Sequence, residues 1–194
     1  MQRRKFIKLS MNPCSLKEFI SYWARCYNEG KYPETVYEEN LNRGGKLQGD
    51  NIRALLEWKN GKPLSEDKNQ IVSMIIQNLN KFNEFRALTV VTDEDFNQFW
   101  SLISTIVKSK LVWRVFLLHI ARPTDYPMVD QHVLRAYYFL TQRSGTKSEE
   151  TLKTYLSYKE FFFNLAKESG KEFRELDKAL MAFGQFLKSQ FFQC

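Results

Sequence analysis

The sequence predicts an all-α fold: a single helical globule of about eight or nine helices. Three observations carry this. Apolar residues recur at intervals of three and four along almost the whole chain, the period of a helix with one buried stripe. Of 194 residues, 43% are hydrophobic and 15% aromatic, enough to build a core and to offset the entropy of ordering. The one strand-like run, Ala87-Leu-Thr-Val-Val-Thr92, is too short and isolated to found a sheet.

In chain order, Ser15 can cap a helix whose apolar side reads Leu16, Phe19, Ile20, Trp23 and Tyr27, stopped by Gly30 and Pro33. A short helix carries Val36, Tyr37 and Leu41 before Gly44, Gly45 and Gly49 break the chain. Asp50 is the expected cap of the next, which turns Ile52, Leu55 and Leu56 inward and closes at Asn60-Gly61 and Pro63. Ser65 opens a longer helix through Ile71, Met74, Ile75, Leu79 and Phe82. Thr92 and Asp95 form a capping box ahead of Phe96, Phe99, Trp100, Ile103 and Val107. A break near Lys108-Ser109-Lys110 leads to the strongly apolar stretch Leu111 to Ile120. The turn-rich Arg122-Pro-Thr-Asp-Tyr-Pro127 ends at Asp130, and Val133, Leu134, Tyr137 and Leu140 mark the next helix. Gly145 separates it from a helix near residues 148–168, and Gly170 precedes the last, with Phe173, Leu176, Leu180, Phe183 and Leu187.

No repeat or long linker divides the chain, so residues 1–194 are expected to form one domain, with residues 1–14 a basic arm (Arg3, Arg4, Lys5, Lys8). Twenty-nine Lys and Arg against 22 Asp and Glu leave +7, which favours a polyanionic partner. Cys14, Cys26 and Cys194 form no CxxC pair and have no His nearby, which argues against zinc, iron–sulfur clusters and disulfides and for a reducing cytoplasm. The N-terminus lacks the apolar run of a signal peptide, and no stretch approaches 18 uncharged apolar residues. The expectation is a soluble, cytoplasmic monomer, nucleoid-associated in a prokaryote, with no cofactor, metal or membrane.

Phosphate loops, HExxH, EF-hands and GxSxG are absent from the sequence. His119, in an apolar run, reads as a hydrogen-bonded core residue rather than a ligand. Trp58 in Leu55-Leu-Glu-Trp-Lys-Asn-Gly61 reads as packing, Tyr137-Tyr138-Phe139 and Phe161-Phe162-Phe163 as core plus surface. The informative stretch runs from His119 to Arg135. It places Asp130 where a proline-bounded loop meets a helix start, so that its carboxylate can accept backbone N–H bonds and feel the positive helix end. In most proteins such a residue is an N-cap and nothing more.

The pattern Tyr126-Pro-Met-Val-Asp-Gln-His-Val-Leu-Arg135 resembles the segment that bears the catalytic aspartate in the helix-hairpin-helix DNA glycosylase superfamily. Leu111 to Ile120 stands where that family's apolar helix lies, and Leu176 to Gly184 looks like the closing helix of uncharacterised members. The specific match covers about 35 residues. The resemblance implies excision of a base flipped out of duplex DNA, with Asp130 as the carboxylate that stabilises an oxocarbenium-like sugar and orients water. Lys108, Lys110, Arg114, His132 and Arg135 are the DNA-contacting residues it implies.

Two departures shape this expectation. The family's glycine-rich hairpin is replaced by Val107-Lys-Ser-Lys-Leu-Val-Trp113, without glycine, so Lys108, Lys110 and Arg114 would offer point charges in place of a shaped phosphate nest. Val112 stands where bifunctional members place a Schiff-base lysine, which implies a monofunctional enzyme without lyase activity. The alternative reading is a non-catalytic DNA-binding or helical interaction module that retains the fold.

Overall fold

Capping chemistry written in the sequence starts several of the helices. The computed structural model describes residues 14–41, 45–108, 111–141 and 151–188. Ten helices occur among them: α1 (Leu16–Arg25), α2 (Glu34–Leu41), α3 (Gly49–Asn60), α4 (Glu66–Gln77), α5 (Leu79–Ala87), α6 (Asp93–Ile106), α7 (Leu111–Ala121), α8 (Gln131–Leu140), α9 (Leu152–Ser169) and α10 (Phe173–Lys188). Ser15 and Glu18 close a capping box at α1, and Thr92 and Asp95 close another at α6, each pair satisfying two otherwise orphaned N–H groups. Gly61 ends α3 in the left-handed conformation, φ 66°, which glycine adopts without steric cost. The expected basic arm at residues 1–14 lies, apart from Cys14, outside the described residues, as do Gly44, Gly145 and Cys194.

The structure corrects three expectations. The single helix expected from Ser65 to Phe82 is two: Asn78 leaves helical geometry (φ −106°, ψ 15°) and its side chain donates to the Met74 carbonyl at 2.9 Å, ending α4 and starting α5. Gln48, not Asp50, flanks α3, with Asn51 Oδ1 accepting from the Gln48 N–H at 2.9 Å. Residue α1's last turn closes at Cys26, so Tyr27 leaves the helix that its spacing suggested. The strand-like run Ala87–Thr92 founds no sheet, as expected: no strand occurs among the described residues, and beyond Ala87 the chain forms an irregular connection with Val90 exposed.

Two helical groups share the core. One consists of α1, α8, α9 and α10, with α10 packed along α8 and α1, and α9 against α1 and α8. The other is α2 to α7, in which α2 packs on α3, α3 on α4, and α5, α6 and α7 on one another. Helix α7 buries eight of its eleven residues, as its nearly continuous apolar sequence requires. Arg86 of α5 ties this group together by donating to the carbonyls of Gly45 (3.0 Å), Leu41 (2.8 Å) and Ile120 (2.8 Å), the last two at helix ends whose carbonyls lack intrahelical partners. No helix among the described residues is long and apolar enough to cross a membrane.

At the α8–α10 crossing the two backbones nearly touch. A Cβ added to Gly184 would lie 1.9 Å from the His132 carbonyl oxygen, far inside van der Waals contact. Gly184→Ala is therefore expected to destabilise the protein by roughly 2–3 kcal/mol, because relieving the overlap means separating two helices, and this exceeds the ~1 kcal/mol that Ala gains over Gly in a helix. A thermal melt checks it: a Tm drop of roughly 4–10 °C is expected for a chain of this size.

Candidate active site

The loop from Arg122 to Asp130 is fixed by bonds from three sides. Arg122 donates to Asp125 Oδ2 at 2.5 Å and to the Leu88 carbonyl. His119, buried, holds the next residue: its Nδ1 is 2.8 Å from the Tyr126 carbonyl and its Nε2 2.6 Å from the Tyr37 hydroxyl. A neutral ring that donates from Nδ1 and accepts at Nε2 satisfies both, so His119 is the hydrogen-bonded core residue its sequence context implies. Tyr155, buried in α9, donates to the Pro127 carbonyl at 3.3 Å. The chain thus enters Asp130 along a defined path.

Asp130 is the N-cap of α8, extended at φ −149°, with Oδ1 accepting from the N–H groups of His132 (2.7 Å) and Val133 (2.9 Å). Oδ2 has no hydrogen-bond partner among the described residues. The capping role is real, and it leaves half of the carboxylate uncommitted.

Asp130 also borders a cavity at the seam of the two helical groups. Its walls come from the α1–α2 connection (Tyr27, Tyr32), α3 (Trp58, Lys59), the loop residues Met128 and Val129, Val133 of α8, and Arg174, Asp177 and Met181 of α10. The cavity measures about 40 Å³, room for about three waters. A larger guest would require movement of its walls. Met128 and Met181 are suited to that, since methionine repacks with little cost.

Two of its lining residues, Arg174 and Asp177, belong to a chain of charges. Arg174 donates to Glu34 at 2.6 and 3.1 Å, to the Tyr27 hydroxyl at 3.3 Å and, at 3.5 Å, to Asp177 Oδ2. Its guanidinium lies 4.4 Å from the Tyr37 ring centre and 5.5 Å from that of Trp58. Lys178 adds a second cation on Glu34 at 2.8 Å. Burial opposes the charge on Arg174, but the Glu34 bonds and Asp177 outweigh it and hold the guanidinium firmly protonated. Asp177 has the reverse balance: burial pushes its carboxyl up to about 7, only partly offset by Arg174 and Lys59, with Asp130 and Glu34 adding repulsion. Two carboxyl groups on one cavity thus have opposed environments, one bonded by backbone N–H groups and one desolvated.

The other residues that the sequence singled out lie around α8 and the α6–α7 turn. Lys108 is exposed, and Lys110 lies outside the described residues. Arg114 turns back on the chain: Nε donates to the Val107 carbonyl at 2.6 Å and Nη2 to the Lys108 carbonyl, closing the end of α6. Arg135 Nη1 lies 3.0 Å from the Gly184 carbonyl and 3.0 Å from His132 Nδ1, linking α8 to α10. His132 is half-buried, and burial lowers its pKa more than Asp130 raises it. Among the described residues of this set, only Asp130 borders the cavity.

Sequence reasoning missed Asp177, Arg174 and Lys59, and read Trp58 only as packing. Trp58 is buried as expected, but it is also a cavity wall whose Nε1 has no partner among the described residues. A signal for Asp177 was present. It stands four residues after Phe173 and three before Leu180, so it interrupts the apolar stripe of α10 with a charge. Among the described residues, no group of three or more His, Cys, Asp or Glu side chains comes together in a way that could hold a metal ion.

Comparison with known protein families, with characterised proteins and with solved structures finds no significant match for this chain.

Proposed function

We propose that the protein is a monofunctional base-excision enzyme of DNA, hydrolysing an N-glycosidic bond with Asp130 as its carboxylate. The observation that carries the reading is the placement of Asp130: it borders a cavity walled by Trp58, Tyr27 and Tyr32 while Oδ1 is clamped by two backbone N–H groups. Departure of a base builds positive charge on the sugar, and a fixed carboxylate at the cavity edge stabilises that charge without reorganising. Oδ2 is available to orient the attacking water. Aromatic walls suit an extruded planar base. The net charge of +7 and the exposed Lys108 suit the duplex.

Duplex oligonucleotides carrying single modified bases test this. The expected product is an abasic site in an intact strand that breaks only on alkaline treatment. Strand scission without alkali would count against the monofunctional assignment, and absence of abasic sites on every substrate would count against the reaction.

A second reading, a DNA-binding module without chemistry, draws on the α6–α7 turn, where Arg114 closes the helix end and no glycine shapes a phosphate nest. It predicts binding whose logarithm falls steeply with the logarithm of salt concentration, unaccompanied by base release.

A further inference from the structure

Two residues that line the cavity each carry a buried polar atom without a partner among the described residues, Asp177 Oδ1 and Trp58 Nε1. Their side chains are almost wholly enclosed, Asp177 6% exposed and Trp58 7%. Leaving a buried donor or acceptor unpaired costs about 1–3 kcal/mol each, so folded proteins rarely do so without a use for it. One is an acceptor and the other a donor. Their residues belong to different helical groups, Asp177 to α10 and Trp58 to α3, and both line one cavity.

From this pairing we infer that Asp177 and Trp58 are the ligand-reading groups of the cavity, taking a planar nitrogen heterocycle that offers an N–H donor to Asp177 Oδ1 and a lone pair to Trp58 Nε1–H. The inference rests on reading the cavity as the base pocket, and it assigns that pocket a recognition code. The rings of Tyr27 and Tyr32 supply apolar faces for a flat guest, and Met128 and Met181 supply the adjustable volume that a cavity of about 40 Å³ needs to admit one. Oδ2 of Asp177 faces Arg174 at 3.5 Å, which sets the orientation of the carboxyl and leaves Oδ1 for the ligand. A base without any N–H would leave Asp177 unpaired in the complex and be rejected, since an unmet buried polar group discriminates more strongly than a missing apolar contact.

The test measures calorimetric binding of 9-methyladenine, 9-methylguanine, 1-methylcytosine and 1-methylthymine, each beside an analogue methylated at every remaining N–H. Wild type is expected to bind at least one of the four, and its N–H-free counterpart at least tenfold more weakly. Asp177→Asn and Trp58→Phe, each close in shape to the original, should each weaken binding about tenfold or more without lowering Tm at pH 8, because the first removes a buried charge and the second a buried unpaired N–H. Equal affinity for the N–H-free analogues, unchanged binding by both variants, or binding of none of the four bases would overturn the inference. Loss of Tm in both variants would also overturn it, by giving the two groups a structural role. Because free bases carry no glycosidic bond, binding without excision on DNA would strike the Asp130 chemistry and leave this assignment standing.

Discussion

Asp130→Asn should lower base release at least about a hundredfold while changing stability by less than about 1 kcal/mol. Two properties of one side chain separate here. Asparagine is as good an N-cap as aspartate, so its amide oxygen can accept from the N–H groups of His132 and Val133 as Oδ1 does now. The charge, however, is gone, and removing a single fixed electrostatic partner from a developing charge typically costs 10²–10³ in rate. Asp130→Ala completes the comparison: it loses the cap as well, with an expected cost of about 1 kcal/mol on top of the same loss of activity. Were Asp130 only a cap, the alanine variant would be less stable and the asparagine variant would behave as wild type in every assay. Melting curves and single-turnover rates for the two variants decide between these outcomes.

The second large effect concerns pH. Burial raises the Asp177 carboxyl from an ordinary value near 3.8 to about 7 in the folded protein. The folded state therefore holds this proton more tightly than the unfolded state does. Stability linked to it is complete below pH ~4 and is lost as pH rises through about 7, reaching of order 2–4 kcal/mol. Arg174 and Lys59 draw that midpoint down, while Asp130 and Glu34 push it up. Tyr155 and Tyr158, also packed near Asp177, have hydroxyls raised well above their usual range and stay neutral throughout. His132 works with the opposite sign, because burial lowers its pKa and the stability tied to its neutral form is lost as pH falls. The difference between wild type and Asp177→Asn isolates the aspartate. That variant is expected to gain on wild type in Tm between pH 5 and pH 8, by roughly 5–10 °C at the upper end. Parallel pH profiles would mean that Asp177 is ionised throughout and well paired.

Much of the architecture was legible because it depends on local chemistry. Ser15, Thr92 with Asp95, and Asn60-Gly61 announce helix ends by side-chain and backbone preferences that do not depend on tertiary context. The interruption at Asn78 was not legible, because a polar residue in a helical pattern only breaks the helix when its side chain finds a backbone carbonyl, here that of Met74. The site divides in the same way. Asp130 was readable as a carboxylate at a helix start, since the loop and the helix that define it are contiguous in sequence. The cavity was not, because Trp58, Tyr27 and Asp177 are brought together by the packing of two helical groups. Arg114 and Arg135 illustrate the same limit. The resemblance implies DNA contacts for both, and their donation to the Val107 and Gly184 carbonyls depends on packing that the sequence does not display.

The most direct measurement is mass-spectrometric detection of free bases after wild type and Asp130→Asn are each incubated with DNA carrying a broad set of damaged and modified bases. Release of a base by wild type and its near-absence with the variant is the predicted result. Equal release by the two proteins would remove Asp130 from the chemistry, and release by neither on any substrate would contradict the assignment of excision to this fold.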